Sequence, residues 1–438
     1  MSSGGDPLVP QRSGVVEEEP RTPTRMAANL ALNTRVERME RAGADLLHLG
    51  FGEARLPPLR GLNDRLARGG VHTSYGPVEG TPRAREAAAG YFQQRGLPTD
   101  PDLTLFGPGS KALLWAILHS VPGDIVLPRP SWLTYRAQAA LADKQVIWVD
   151  TPPGRGGLPD PATFSEQVHG ARTAGADPRL VVLTLPDNPT GSLPDRATVE
   201  QVCRIASEEG LLIVSDEIYR DVMSVDPAAM PSPAEFAPES TMITTGPSKS
   251  LGLGGWRIGL SRFPEGQVGT DLFHRVRSVA SEVWSTLARP LVEAAEYALT
   301  EPSELVVHRT AAAHMQRTIT EAVYRITVRS GATVPRPGGA FYVYPDFEHH
   351  RDELALRGVV DAPSLEAHLL ERHQTAVLGG HHFGDDPRRL RFRAATSLLC
   401  GRSASQVSET FTADNPLEIP HVSSALARVE DVFTKLTT

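Results

Sequence analysis

One lysine in a glycine-rich stretch is the residue best suited to covalent chemistry. Lys249 follows Ser248, and Arg257 lies eight residues further on between glycines. The stretch holds too many glycines for a helix interior, and glycine lets the backbone come close to a ligand. A lysine held among small residues can lose its proton and attack a carbonyl as an amine. The alternative is a surface lysine in a loop, and the other motifs of the chain must decide between the two.

Two polar residues follow apolar runs that predict buried parallel strands. Asp216 comes after the run 211–214, and Asn188 follows the run 180–185 in a turn with two prolines. An acid in such a place needs a cationic partner, although a helix-capping aspartate is the plain alternative. The prolines fix a turn that can present the amide of Asn188 in one direction. We expect both residues at the carboxyl ends of strands, where open α/β sheets bind ligands.

Two further segments could bind anions. A predicted strand at 103–106 is followed by Gly109, Ser110 and Lys111, which open an apolar helix. The free N–H groups and the dipole of a helix start attract a phosphate, but no P-loop spacing indicates a nucleotide. Near the N-terminus, Gly52 ends a G-x-G turn whose backbone could approach a carboxylate, or which could be a simple turn.

In this order the motifs resemble those of the class I/II aminotransferases, which are fold-type I pyridoxal-phosphate (PLP) enzymes. The string S-K-x7-R-x-G around Lys249, N-P-T-G at Asn188 and D-E-x-Y at Asp216 carry the resemblance, which covers about residues 46–397. It implies an α/β fold: a large domain with a mostly parallel sheet flanked by helices, plus a smaller α+β domain. The expected parts are a flexible N-terminal arm (1–27), the N-terminal part of the small domain (28–60), the large PLP-binding domain (61–310) and the C-terminal small domain (311–438).

The resemblance also implies roles for single residues. Lys249 would form the Schiff base with PLP, and Asp216 would hold the ring nitrogen protonated; these are the two expected catalytic residues. Gly52 and Arg391 would bind the substrate carboxylate. The other expected cofactor contacts are Tyr75 (from the neighbouring subunit), Gly109, Ser110, Lys111, Trp132, Asn188, Tyr219, Ser248 and Arg257.

The chain departs from the family pattern around the expected substrate mouth. Ala54 and Arg55 replace Pro-Asp, and Trp284 either narrows the pocket or packs at a dimer interface. Arg391 and Arg393 point the same way on a predicted strand, as carboxylate recognition would require. Alignment with the family makes Arg391 the fork, and leaves Arg393, where serine is usual, as a second anion contact or an exposed charge.

The function implied is transfer of an amino group from an amino acid to a keto acid in a homodimer with shared active sites. Elimination or replacement, cyclisation and oxidation remain open, because the same residues serve all these PLP reactions. A regulator with an aminotransferase-like sensor domain is a third hypothesis. The 51 residues before Gly52 show no basic helix-turn-helix pattern, which disfavours this hypothesis.

Composition limits the remaining possibilities. The 438 residues carry 52 acids against 44 bases, which argues against a nucleic-acid partner. No apolar run is long enough to span a membrane, and no secretory leader is visible at the start. Cys203 and Cys400 lie far apart, so we expect reduced thiols in a cytoplasmic protein.

Two places in the sequence leave their roles open. The first 27 residues predict a flexible arm, which could instead fold over a ligand. His381 and His382 precede Asp385 and suggest a metal site. Because adjacent histidines on a loop seldom converge on one ion without a third fixed ligand, we expect no metal, and place them at the substrate mouth.

Overall fold

The computed structural model describes residues 26–152, 157–223 and 230–438, so nearly all of the predicted arm lies outside the described residues. The helices of the described part are α1 (Ala28–Arg41), α2 (Arg60–Gly69), α3 (Pro82–Gln93), α4 (Ser110–Ser120), α5 (Leu133–Leu141), α6 (Pro161–Thr173), α7 (Arg196–Glu208), α8 (Pro233–Phe236), α9 (Pro247–Ser250), α10 (Gln267–Val283), α11 (Arg289–Leu299), α12 (Ser303–Arg329), α13 (Arg351–Ala355), α14 (Ala362–His373), α15 (Ala404–Thr412) and α16 (Pro420–Lys435). Its strands are β1 (Leu47–His48), β2 (Thr104–Pro108), β3 (Asp124–Arg129), β4 (Val146–Asp150), β5 (Pro178–Thr184), β6 (Leu212–Asp216), β7 (Thr241–Thr245), β8 (Ile258–Arg262), β9 (Tyr342–Val343), β10 (Thr375–Ala376), β11 (Leu378–Gly379) and β12 (Phe392–Ala395).

A seven-stranded sheet organises the large part of the chain. Its order is β2-β8-β7-β6-β5-β3-β4, and the five strands from β7 to β4 pair in parallel. Only β8 runs against its neighbours on both sides. The strand residues are buried on both faces because helices cover both, which explains their continuous apolar sequence. This confirms the mostly parallel α/β sheet predicted from the sequence.

Parallel strands end at one edge of the sheet, and the chain leaves that edge through polar turns. The turn containing Asn188 follows β5, β6 ends at Asp216, and Lys249 lies just after β7 on α9. Because β5, β6 and β7 are neighbours, these three side chains are brought to one place. The predicted strand boundaries differ from the observed ones by one or two residues, which leaves this placement unchanged.

The smaller part of the molecule has its own core and two small sheets. Strands β11, β12 and β9 form an antiparallel sheet, and β1 pairs in parallel with β10. A separate hydrophobic cluster joins β1, β9 and β12 to α12, α14 and α16. The N-terminal β1 thus packs with C-terminal elements. The predicted boundary at residues 310 and 311 falls inside the continuous helix α12.

Among the described residues, no helix is both long and apolar enough to cross a membrane. Cys203 and Cys400 are buried free thiols.

Candidate active site

Lys249 lies where the sheet edge faces the N-terminal segment. Its Nζ donates a hydrogen bond to the carbonyl oxygen of Gly52, at 2.5 Å. The ring centroids of Tyr219 and Phe341 lie 5.9 Å and 5.8 Å from Nζ. Gly52 has no side chain that would keep Lys249 away from its carbonyl oxygen. A Cβ at this position would lie 2.2 Å from the Tyr342 hydroxyl oxygen. The structure therefore brings Lys249 and Gly52 together.

The surroundings of Lys249 favour its neutral amine. Burial, together with the positive charges of Arg393 and Arg257, lowers the pKa of Lys249 to about 8, against the opposing effect of Glu53 and Asp216. Burial and nearby positive charges both disfavour the ammonium form. More of Lys249 is therefore present as the neutral amine near neutral pH than for an exposed lysine, and the amine is the form that attacks a carbonyl.

Asp216 is buried with one oxygen unpartnered. It is 2% exposed at the end of β6, and Tyr135 donates to its Oδ2 at 2.7 Å. Its Oδ1 has no hydrogen-bond partner among the described residues. Burial raises the pKa of Asp216 to about 6, against the opposing hydrogen bond from Tyr135. A buried carboxylate oxygen without a partner is costly, so this atom is suited to a cationic N–H donor.

Tyr219 and Asn188, two of the expected cofactor contacts, also lie at this edge. The hydroxyl of Tyr219 is 2.5 Å from the hydroxyl of Tyr342, and burial raises the pKa of Tyr219 well above its usual value. Asn188 is 3% exposed and offers its Oδ1 to Arg393 at 3.0 Å. The side-chain amide nitrogen of Asn188 takes no part in that contact, and the turn fixes its direction.

A backbone cradle forms where α4 begins. Gly109 has a φ of 86° and precedes the first helical residue, Ser110. A Cβ at Gly109 would lie 2.1 Å from an Arg257 guanidinium nitrogen, and one at Gly259 would lie 2.5 Å from the Ser110 nitrogen. Only glycines allow this approach. Burial and the charge of Arg257 lower the pKa of Lys111. The effect of Arg257 means that the two cationic side chains lie close together, so the cradle concentrates positive charge at a helix start.

Trp132 and Tyr75 stand in different relations to this edge. Trp132 is partly buried, packs edge-on against Tyr135, and has the Nζ of Lys111 5.2 Å from its ring. Tyr75 is 89% exposed and takes no part in the contacts described above. Ser248 is partly buried beside Lys249 on α9. The predicted cofactor contacts thus gather within one chain, except for Tyr75.

Arg391 is occupied by acids of its own domain. Its Nε donates to Asp346 at 2.7 Å, and its guanidinium contacts Asp385 at 3.2 Å. The Tyr344 hydroxyl also donates to Asp385, which fixes that carboxylate. The predicted role of Arg391 as the substrate fork is not supported by this geometry, because its charge is already neutralised by two carboxylates.

Arg393 instead enters the site. It is 2% exposed, and its guanidinium donates to Asn188 Oδ1 at 3.0 Å and to the Gly50 carbonyl oxygen at 2.9 Å. The guanidinium carbon lies 4.6 Å from the Tyr342 ring centroid and 5.0 Å from that of Phe383. Its Nε has no partner, and no carboxylate pairs with it among the described residues. Arg393 is thus a buried cation facing the lysine, not an exposed charge.

Three contributors were missed by sequence reasoning. Tyr135 supports Asp216, Tyr342 contacts Tyr219, and Phe383 stacks near Arg393. Tyr135 follows Trp132 by three residues, one helical turn, which is the one local signal available. The contacts of Tyr342 and Phe383 join parts of the chain that are far apart in sequence and have no local signature.

Trp284, whose role the sequence left open, packs against the large-domain core. Its ring lies beside Gly107 on β2, where an added Cβ would be 3.4 Å from it. The neighbouring Val283 is 57% exposed. Within this chain, Trp284 therefore packs against the core beside β2.

The fold and site together define an α/β protein with a buried lysine at the carboxyl edge of a mostly parallel sheet. The family model for aminotransferase class I and II matches residues 44–398. An aspartate aminotransferase of Pinus pinaster is 30% identical over 387 residues, covering 84% of this chain and 76% of that protein. An aspartate aminotransferase of Geobacillus stearothermophilus is 30% identical over 384 residues, and the match covers 85% of this chain and 92% of that protein.

A solved structure agrees with these matches. The aspartate aminotransferase from Thermus thermophilus with maleate has a TM-score of 0.77 and 25% identity, covering 93% of this chain and 97% of that one. The chain therefore belongs to the class I and II aminotransferase family. It is an enzyme of the aminotransferase type with the fold-type I architecture, and members of this family are PLP enzymes. The other PLP reactions and the regulator hypothesis are not favoured by these relatives.

Proposed function

We propose that this chain transfers the amino group of an α-amino acid to a 2-oxo acid, using PLP bound at Lys249 and holding the substrate α-carboxylate with Arg393. The observation that carries the substrate side is that Arg393 is buried yet paired with no acid among the described residues. A buried guanidinium that meets only neutral oxygens is incompletely compensated, and a carboxylate ligand supplies the missing charge.

The residues at the sheet edge fit PLP in shape and charge. The unpartnered Asp216 Oδ1 suits a protonated ring nitrogen, and the ring would lie beneath Trp132. Asn188 and Tyr219 would face the phenolic oxygen. The phosphate would occupy the cradle formed by Gly109, Ser110, Lys111, Ser248 and Arg257. The chemistry that PLP supplies when bound is withdrawal of electrons from the substrate Cα.

The protein's own contribution is positioning and proton transfer. Arg393 and the backbone of Gly52 would fix the carboxylate, which orients the Cα–H bond toward Lys249. As a neutral amine, Lys249 would take the proton from the substrate Cα. It would then return the proton to the carbon on the cofactor side of the transferred nitrogen. Asp216, held in place by Tyr135, would keep the ring nitrogen of the cofactor positively charged, and this charge makes the Cα proton more acidic.

The substrate class follows from the anion sites. One guanidinium accounts for the α-carboxylate, so any α-amino acid meets the minimum requirement. Relatives are named for aspartate, and the similar Thermus thermophilus structure contains maleate, a dicarboxylate. We therefore place aspartate with 2-oxoglutarate first among the pairs to test.

The test is a product balance with an amino-acid panel and 2-oxoglutarate. We expect equal amounts of a new 2-oxo acid and of glutamate, without ammonia release or oxygen uptake. Ammonia as the main product would indicate elimination, and oxygen uptake would indicate oxidation. Either result would contradict the proposal.

We also propose a homodimer in the cytoplasm. Tyr75 is 89% exposed and outside its own chain's site, which supports a role across an interface. The two free buried thiols are consistent with a reducing compartment. Light scattering of the active enzyme is expected to give twice the 47.3 kDa chain mass, and an active species at the single-chain mass would contradict shared sites.

A further inference from the structure

Three side chains with metal-ligating atoms cluster in the small domain, away from the contacts of Lys249. Glu366 lies on α14, and His381 and His382 lie on a short 3-10 helix, Gly380–Phe383. One ligand atom from each lies within 4.8 Å of the other two. We propose that this cluster binds a divalent transition-metal ion, and that zinc fits it best.

Glu366 is the third fixed ligand that the sequence did not reveal. Its Oε2 accepts a hydrogen bond from the Gly379 backbone at 2.7 Å and lies 3.0 Å from His382 Nε2. Asp385, the acid closest in sequence to the histidines, is instead engaged by Tyr344 and Arg391. The carboxylate reaches the histidines through the packing of α14 against the turn, so no sequence spacing predicts it.

His381 supplies the second observation that points to a ligand. Its Nδ1 is buried and has no hydrogen-bond partner among the described residues. The adjacent His382 is, by contrast, satisfied by Glu366. The rings of the two histidines have centroids 3.9 Å apart, and one nitrogen of each lies within 4.8 Å of the other, so one ion can reach both. A metal at this place would use a nitrogen that the protein otherwise leaves unpartnered.

Two imidazoles and one carboxylate are a ligand set for zinc. Zinc accepts nitrogen and carboxylate oxygen in a tetrahedral arrangement, with water as the fourth ligand at an open site. The His382 and Glu366 side chains are 25% and 23% exposed, which lets water reach the ion. Binding replaces the His382–Glu366 hydrogen bond by two metal–ligand bonds, and the Gly379 N–H continues to orient the carboxylate.

The expected consequence is a stiffer support for Arg393. The turn that carries both histidines ends at Phe383, whose ring lies 5.0 Å from the Arg393 guanidinium carbon. The Phe383 carbonyl also accepts a hydrogen bond from the Ser131 backbone, at 2.9 Å. An ion that joins α14 to this turn would therefore hold the wall of the substrate site in place. The role proposed for the ion is therefore structural: it supports the wall of the site and takes no part in the reaction.

The experiment is equilibrium dialysis of the untagged, PLP-loaded enzyme against zinc chloride, with metal content measured per chain. We expect one zinc ion per chain at low micromolar free zinc, and a thermal unfolding midpoint that rises with zinc concentration. Glu366→Gln and His381→Gln should each weaken zinc binding at least tenfold. The His381 variant breaks no hydrogen bond of the described structure, so it decides the matter if Glu366→Gln does not fold.

A second histidine pair provides the matched control. His368 and His373 both lie on α14 with their Nε2 atoms 3.3 Å apart, but among the described residues no third ligand completes that pair into a cluster. The double variant His368→Gln/His373→Gln should bind zinc like the wild type. The proposal is overturned if the wild type binds no zinc, or if this control removes binding while His381→Gln retains it. Neither result affects the aminotransferase assignment, which product balance tests separately.

Discussion

The two sides of the site are built by different rules. On the large-domain side, Asn188, Asp216 and Lys249 each follow a strand of the sheet, so one local motif places each side chain. On the small-domain side, the sequence predicts that two arginines two residues apart point the same way, yet Arg391 is held by acids while Arg393 enters the site. Two residues of strand advance the chain by about 7 Å, which is enough to exchange one set of partners for another.

The comparison shows that residue type and orientation do not decide a role when the partners come from distant parts of the chain. Asp346 pairs with Arg391 across an isolated bridge, and Asp385 arrives from the preceding loop. Together they neutralise the arginine that alignment assigns to the substrate. Arg393 is left as the buried cation.

The largest effect is expected on the large-domain side. Lys249→Ala removes both the covalent link and the group that moves the Cα proton, so turnover should fall by about 10⁴-fold or more. PLP should still bind through the other contacts, without the absorbance of a lysine-bound cofactor. A variant with normal turnover would contradict the assignment of Lys249, and exposed Lys435→Ala is the control that should change nothing.

Asp216→Asn should have the next largest effect. The amide cannot carry the negative charge that faces the ring nitrogen, so we expect a loss of about 100-fold or more in kcat with much of the cofactor retained. Tyr135→Phe, which removes only the hydrogen bond to Asp216, should lose much less. Rates within a few-fold of wild type for Asp216→Asn would contradict its role.

How far the sequence could predict the molecule follows from these cases. The sheet, its order of motifs and the residues at strand ends were predictable, because alternating strands and helices encode them locally. Tyr342 against Tyr219, and Glu366 beside His382, could not be predicted, because each contact joins elements more than ten residues apart. Arg391 shows the same limit, since the acids that occupy it lie elsewhere in the chain.

The pH dependence of PLP capture should show a smaller effect that also distinguishes Arg393 from Arg391. Arg393 lowers the pKa of Lys249, which is about 8 in the folded protein. The neutral amine increases as pH rises through this pKa, so capture of PLP by the cofactor-free enzyme should level off above about pH 8. Arg393→Gln removes a charge that disfavours the ammonium and should move this transition to higher pH. Arg391→Gln should leave it in place, and an equal shift in both variants would contradict the distinction.

The most direct test of the central claim compares Arg393→Lys with Arg391→Lys. Lysine keeps the charge and loses the two-pronged contact, which is worth about 1.5–3 kcal/mol for a hydrogen-bonded charged group. For the best amino-acid substrate, we predict that Arg393→Lys raises KM about 10-fold to 100-fold while PLP retention is unchanged. Arg391→Lys should stay within a few-fold of wild type. A large rise in KM for Arg391→Lys together with a normal Arg393→Lys would contradict the account and return the carboxylate to Arg391.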